Sequence, residues 1–267
     1  MMLSWVGFIL GLAGIGVGQL LEGGHFSSLM QPTAALIVFG GTLGATLLSS
    51  TMAEFSGAIR GLKKVFLKAG HDFNPLIKEI VSVATSARRE GILSMERYVK
   101  EIKSPFFSSN LRHVVDGYDP AILNEMMDER IGKEEEEKNG VAKVWETAGG
   151  FAPTVGILGA VLGLIAVMEN LSDSSKLGSG IAVAFVATVY GVGAANLILI
   201  PIGNKLKKIG KEEILELEII KAGVLGIQSG LNPRVIEDRL LNLLGETGAH
   251  AESAAGNAST AQEKKAA

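Results

Sequence analysis

Four stretches of this chain run for 18 residues or more without a single Asp, Glu, Lys or Arg, and no soluble fold needs four such runs. They are Leu3 to Leu21, Thr33 to Ala53, Phe151 to Met168 and Ser179 to Ile202. As helices rising about 1.5 Å per residue they measure about 28, 32, 27 and 36 Å, against a hydrocarbon core of about 30 Å. Each reads as a transmembrane helix, and the fold class follows: an all-α integral membrane protein with four spans. Glycine supplies 34 of the 267 residues and sits inside the apolar runs, while aromatics are only 6%. Small residues at those positions suit membrane helices that approach one another closely. The first run has no basic residue before it and no small-x-small cleavage site after it, so it reads as a retained helix and not a signal peptide.

Orientation follows from the basic residues, which collect on cytoplasmic flanks. Of the 25 Lys and Arg, 15 lie between spans two and three and nine follow span four, whereas the loop Glu22 to Pro32 has none and the loop Glu169 to Gly178 has only Lys176. That distribution puts both termini and the large middle segment in the cytoplasm. The chain thus divides into spans one and two (1–53), a cytoplasmic helical domain (54–150), spans three and four (151–202), a cytoplasmic helical extension (203–245) and a tail (246–267) of Ala, Gly, Ser, Glu and Lys, expected to be disordered.

In the middle segment, Leu76, Ile77, Ile80, Val81 and Ala84 recur at helical spacing after Pro75, so this helix has one apolar face that needs a partner surface. Asp119 and Asn232, each followed by Pro, read as N-caps opening further helices. The run Glu134 to Glu137, between Lys133 and Lys138, reads as a solvated helix face.

Several functions are excluded by what is missing. With no Cys and four scattered His (His25, His71, His113, His250), the chain offers no thiol chemistry and no ligand pair for a metal centre. A net charge of -3 argues against nucleic acid. Glycines 11, 14, 16 and 18 have neither the preceding strand nor the following Lys of a nucleotide loop, so packing is the better reading. No enzyme, cofactor or metal is expected. The spans also lack any ionisable Asp, Glu, Lys or Arg, so the chain has no proton carrier of its own within them. What spans three and four do offer is two narrow stripes: Pro153, Gly156, Ala160 and Gly163, and Ala184, Thr188, Gly191 and Ala195. These stripes either pack the two spans together or surround a helix from another chain, and spacing alone leaves both open. Pro153 reads as the opener of span three. Pro201, near the end of an unbroken apolar run, removes a backbone bond and should kink span four.

Four separated segments, Ala35 to Leu47 (ALIVFGGTLGATL), Ala87 to Arg97 (ARREGILSMER), Pro153 to Leu164 (PTVGILGAVLGL) and Gly230 to Glu237 (GLNPRVIE), resemble the MotA flagellar stator family, relatives of the TolQ and ExbB energisers. They occur in the family's order and span nearly all of the chain but its tail. Two spans, a large cytoplasmic segment and two further spans also match the MotA layout, where TolQ and ExbB look like three-span proteins.

The resemblance implies a homopentameric ring around two copies of a MotB-like partner, whose single span brings the ion-carrying Asp. The cytoplasmic segment would engage the rotor switch protein FliG, and membrane lipid would surround the ring in the bacterial inner membrane. By position, Pro153 and Pro201 resemble the two coupling prolines, and Arg88 and Glu96 the charged pair that meets the rotor, with Arg89 a second basic candidate. The bland reading of these charges is a set of surface salt bridges. Pro153, Thr154, Gly156, Ala160, Gly163, Thr188, Gly191 and Ala195 become the expected ion pathway and partner-facing surface. Sodium-driven relatives tend to carry Thr where this chain has Ala160, beside the Thr matched by Thr188, and a methyl cannot ligate a hard cation. The expectation is therefore proton coupling, with a sodium-driven stator, a non-flagellar energiser and a self-sufficient channel as the competing readings.

Overall fold

The computed structural model describes residues 2–67, 72–172 and 174–245, and all the regular structure among them is helical. In chain order the helices are α1 (Met2–Leu21), α2 (Pro32–Ala35), α3 (Gly41–Ser49), α4 (Met52–Leu67), α5 (Asn74–Glu90), α6 (Glu96–Val99), α7 (Pro105–Val115), α8 (Pro120–Glu169), α9 (Ser174–Ala194), α10 (Ile200–Gln228) and α11 (Pro233–Leu243). Four helical stretches among the described residues are long and apolar enough to cross a membrane, namely those holding Ser4–Leu21, Phe26–Ser49, Pro120–Glu169 and Leu177–Gln228.

The chain forms two compact units. One is Met1–Gly70 with Glu135–Lys211, and the other is His71–Glu134 with Glu212–Ala267. Most of the middle segment and most of the segment after span four thus share the second unit, while 54–70, 135–150 and 203–211 fall in the first. In the second unit the apolar face of α5 (Ile77, Ile80, Val83, Ala84) meets Ile219, Ile220 and Val224 of α10 and Ile236 and Leu240 of α11 in one core, with Phe107 and Leu111 of α7 and Leu123 of α8. Gly223 permits the closest approach, since a Cβ there would lie 2.5 Å from Ile80 Cγ2. The caps behave as the sequence suggests. Asp119 accepts from the Ala121 amide at 2.8 Å, and Asn232 accepts from the Arg234 amide at 3.1 Å. Glu135, Glu136 and Glu137 are exposed, and Arg130 pairs with Glu134 at 2.8 Å. The tail reading from Glu246 lies outside the described residues.

In the first unit, three departures from the sequence reading concern helix continuity. The second span ends at Ser49, ahead of Ala53, because Ser50 is extended and Thr51 with Glu54 starts a new helix. The Glu54 carboxylate accepts from the Thr51 amide at 2.8 Å, while the Glu54 amide reaches back to the Thr51 hydroxyl at 3.3 Å. This reciprocal box satisfies two orphan donors. The Thr51 amide first, and then its hydroxyl, hold the Glu54 carboxyl below the usual carboxylate range. Pro153 does not open a helix. It lies inside α8, far from its Pro120 start, and so withholds one backbone bond from the preceding turn. Near Pro201 the irregularity expected of span four is a π-turn, Ala195–Leu199, in which the Ile200 amide bonds the Ala195 carbonyl five residues back. A wide turn there makes room for a ring that would otherwise meet the carbonyl one turn earlier. A second π-turn, Leu36–Gly40, interrupts span two.

Tyr190 of α9 secures the loop between the first two spans. Its hydroxyl donates to the Leu29 carbonyl and accepts from the Gln31 amide at 3.4 Å, while its ring stacks on Phe39 with centroids 5.7 Å apart. Tyr190→Phe keeps the stack and loses both bonds, so it should cost about 0.5 to 1.5 kcal/mol. The measurement is hydrogen exchange at the Gln31 amide, which should quicken in the variant while amides of α5 stay unchanged.

Candidate functional site

The stripes of spans three and four are built from residues without side-chain bulk, and the structure shows what that permits. Backbone touches backbone along the contact of α8 with α9. A Cβ added to Gly156 would lie 2.9 Å from the Ala187 carbonyl oxygen and 3.1 Å from Gly191 Cα. One added to Gly163 would lie 2.8 Å from the Ala184 nitrogen, and one added to Gly191 would lie 2.5 Å from the Ala152 oxygen. Real Cβ atoms do not approach that closely, so glycine is required at all three. Span two lies against the same region, with Ala34 and Val38 packed on Val186 and Ala187.

One of the two readings left open by the sequence, packing of the two spans on each other, is seen within the chain. Gly156, Gly163 and Gly191, expected to face a partner, are buried and occupied by the neighbouring span of their own chain. Ala195, the fourth such residue, is fully buried in the π-turn. The reason is geometric, because two stripes with the same three-and-four spacing fit each other better than either fits a helix with larger side chains. Surface remains at four other positions of this set, and at Pro201. Thr154 and Pro201 are exposed, whereas Pro153, Ala160 and Thr188 are half-buried. Both hydroxyls donate to the preceding turn, Thr154 to the Phe151 carbonyl at 2.8 Å and Thr188 to the Ala184 carbonyl at 3.3 Å. Their protons are thus engaged, and what each hydroxyl has left to offer is acceptor capacity. Flanking them are apolar side chains left largely exposed by the described residues, Ile157, Leu158, Val161, Phe185, Val189 and Val192 among them.

The charged candidates lie in the second unit. Arg88 and Arg89 occupy the last turn of α5, and Glu96 begins α6. Between them Gly91 takes φ +84, a left-handed setting that costs glycine little, and the chain turns there. All three side chains are exposed and make no ion pair among the described residues. The salt bridge in this region is instead Arg97 with Glu90, at 2.7 Å, and Arg97 also lies over the Tyr98 ring at 5.2 Å. Sequence reasoning missed Leu93, 76% exposed beside these charges. An apolar residue projecting from a charged turn was a readable signal.

Comparison with known proteins places these features in a wider set. Residues 98–219 match the model of the MotA/TolQ/ExbB proton channel family, and residues 5–91 match that of the motility protein A N-terminal region. Motility protein A of Helicobacter pylori is 36% identical over 239 residues, covering 90% of this chain and 93% of the relative. The structure of C. jejuni MotAB superposes with a TM-score of 0.84 at 32% identity, covering 90% of this chain and 94% of that one. The flagellar MotAB stator complex from Bacillus subtilis gives a TM-score of 0.81 at 33% identity, covering 89% and 93%.

Proposed function

The chain belongs to the MotA/TolQ/ExbB proton channel family, as a MotA-type stator subunit of a flagellar motor, and from that premise we propose that it couples proton entry to torque. Five copies surround two copies of a MotB-like partner in the bacterial inner membrane, with both termini in the cytoplasm. The supporting observation is a complementarity. The four spans carry no Asp, Glu, Lys or Arg, yet spans three and four keep two hydroxyls with acceptor capacity to spare, Thr154 and Thr188, beside largely exposed apolar side chains. Such a surface suits a foreign helix that brings its own carboxylate. The partner's Asp takes a proton from outside, becomes neutral, and releases it inside. Each charge crossing about 100 mV yields roughly 2.3 kcal/mol, a bias of about fiftyfold on a two-state step. Pro153 and Pro201 are the points where the helices yield, because each lacks a backbone bond.

The partner reading is tested by co-purification. The full chain, expressed with the product of the adjacent reading frame, should be recovered in mild detergent as one complex whose mass corresponds to five copies of this chain and two of the other. Recovery of this chain alone, with proton leakage from vesicles that contain nothing else, would instead support a self-sufficient channel.

Torque passes to the rotor switch protein FliG through Arg88, Arg89 and Glu96. Unpaired exposed charges are free to meet a partner's charges, whereas internally paired ones are not. Arg88→Glu with Glu96→Arg should strongly reduce swimming while the amount of protein in the membrane and the bound partner stay normal. Charge reversal on the facing rotor surface should restore part of it. Leu93→Asp should weaken the same contact. Unaltered swimming in the double charge variant would return these residues to the role of surface charges.

A further inference from the structure

One groove of the first unit has a cation in an otherwise largely apolar lining. Its volume is about 530 Å³, and its walls include Gly7 and Phe8 of α1, Phe66 of α4, Leu197 of the π-turn, and Pro201 of α10. Lys205 also lines it, and its ammonium donates to the hydroxyl of Ser4, another lining residue. Lys205 is half-buried and has no carboxylate partner among the described residues. Two positions on, Lys207 has one, Glu146 at 3.8 Å. Lys208 and Lys211 on the same helix also lack a carboxylate but are exposed, so what sets Lys205 apart is that its cation is held partly out of water, on the Ser4 hydroxyl. Ser4 lies where span one begins and Lys205 just beyond the last residue of the apolar run of span four, so both mark the same boundary of the membrane.

We propose that this groove holds an acyl chain of an anionic glycerophospholipid whose phosphate rests on the Lys205 ammonium and the Ser4 hydroxyl. The chemistry is matched at both ends. A hydrocarbon tail fills an apolar slot open to the bilayer, and a phosphate at headgroup depth neutralises a basic residue just outside the core. Zwitterionic lipids supply the same tail but cancel much of the charge. The lipid would lie along Pro201, so its occupancy bears on the setting of span four. That last link rests on the function proposed above, whereas the binding itself does not.

Lipid retention tests the binding without any measurement of torque. The full chain, co-expressed with its partner, is extracted in mild detergent, washed, and exposed to vesicles of phosphatidylcholine with or without phosphatidylglycerol; retained lipid is then counted by mass spectrometry. The unaltered chain should retain phosphatidylglycerol in preference to phosphatidylcholine. Lys205→Gln should weaken that retention about fivefold, the factor expected for one basic residue at an anionic surface. Lys205→Arg should preserve it, and so should Lys207→Gln. A Cβ at Gly7 would meet nothing within 4 Å, so Gly7→Leu can project into the groove without a clash and should also reduce retention. Equal retention of both lipids by the unaltered chain, or full retention in Lys205→Gln, would overturn the proposal. So would a Gly7→Leu chain that changes the mass of the complex but not its lipid, since the groove would then be covered by a second copy. A chain that binds lipid as expected but fails to drive swimming would leave this site standing and count against the stator function alone.

Discussion

Gly191→Leu should abolish swimming, and it should do so by separating spans three and four within one chain before any question of assembly arises. The first atom of the new side chain would lie 2.5 Å from the Ala152 carbonyl oxygen, and backbone cannot step aside as the end of a flexible side chain can. Overpacking of this kind costs about 1 to 3 kcal/mol for added methylenes in a tight core, and more where the obstacle is main chain. Gly163→Leu meets the Ala184 nitrogen at 2.8 Å and should behave alike. The informative control is Gly193→Ala on the same helix, where an added Cβ has nothing within 4 Å. Its own chain should fold normally, so any loss there reports on contacts with other chains. Two readouts distinguish the cases: the amount of protein stably held in the membrane, and the mass of the extracted complex. Gly191→Leu should lower the first. Normal levels, a normal complex and normal swimming in both leucine variants would remove the close contact from any role.

That contact shows where sequence reading reaches its limit. A stripe of Gly156, Ala160 and Gly163 announces a close neighbour but does not say which, because periodicity describes one helix and a contact needs two. The four spans themselves were legible, since only membrane helices tolerate charge-free runs of such length. So were the caps at Asp119 and Asn232, where side chain and following Pro act locally. Helix edges within the membrane region were not. The apolar run of span three begins near Phe151, but the helix begins at Pro120, because charged residues can continue a helix that has left the bilayer. Conversely span two stops at Ser49 inside an apolar run, stopped by a capping box, Thr51 with Glu54, that hydropathy alone does not register. The groove at Lys205 was hidden for another reason: Ser4 and Lys205 are 201 positions apart.

The choice of ion yields the other large expected effect. A protonophore should stop swimming driven by this chain, and replacing sodium by potassium in the medium should leave it unchanged. The oxygens available decide between the two ions. Sodium entering a dry site must exchange its water for several protein oxygens, whereas a carboxylate in the same place is neutralised by one proton. Thr154 and Thr188 already donate to carbonyls of their own helices, and position 160 offers a methyl. Their remaining lone pairs can accept a hydrogen bond from a protonated partner carboxyl, which is a donor, but two acceptors make a poor shell for a cation. Thr188→Ser retains that acceptor and should swim at close to normal speed. Thr188→Val keeps the shape and the packing of α9 against α8, loses the acceptor, and should swim much more slowly with a normal amount of complex in the membrane. Ala160→Thr adds an oxygen on the half-buried face and should not by itself create sodium dependence, because one hydroxyl does not complete the coordination. Swimming speed that follows external sodium at a fixed proton-motive force would overturn proton coupling and require a ligand other than a residue at 160.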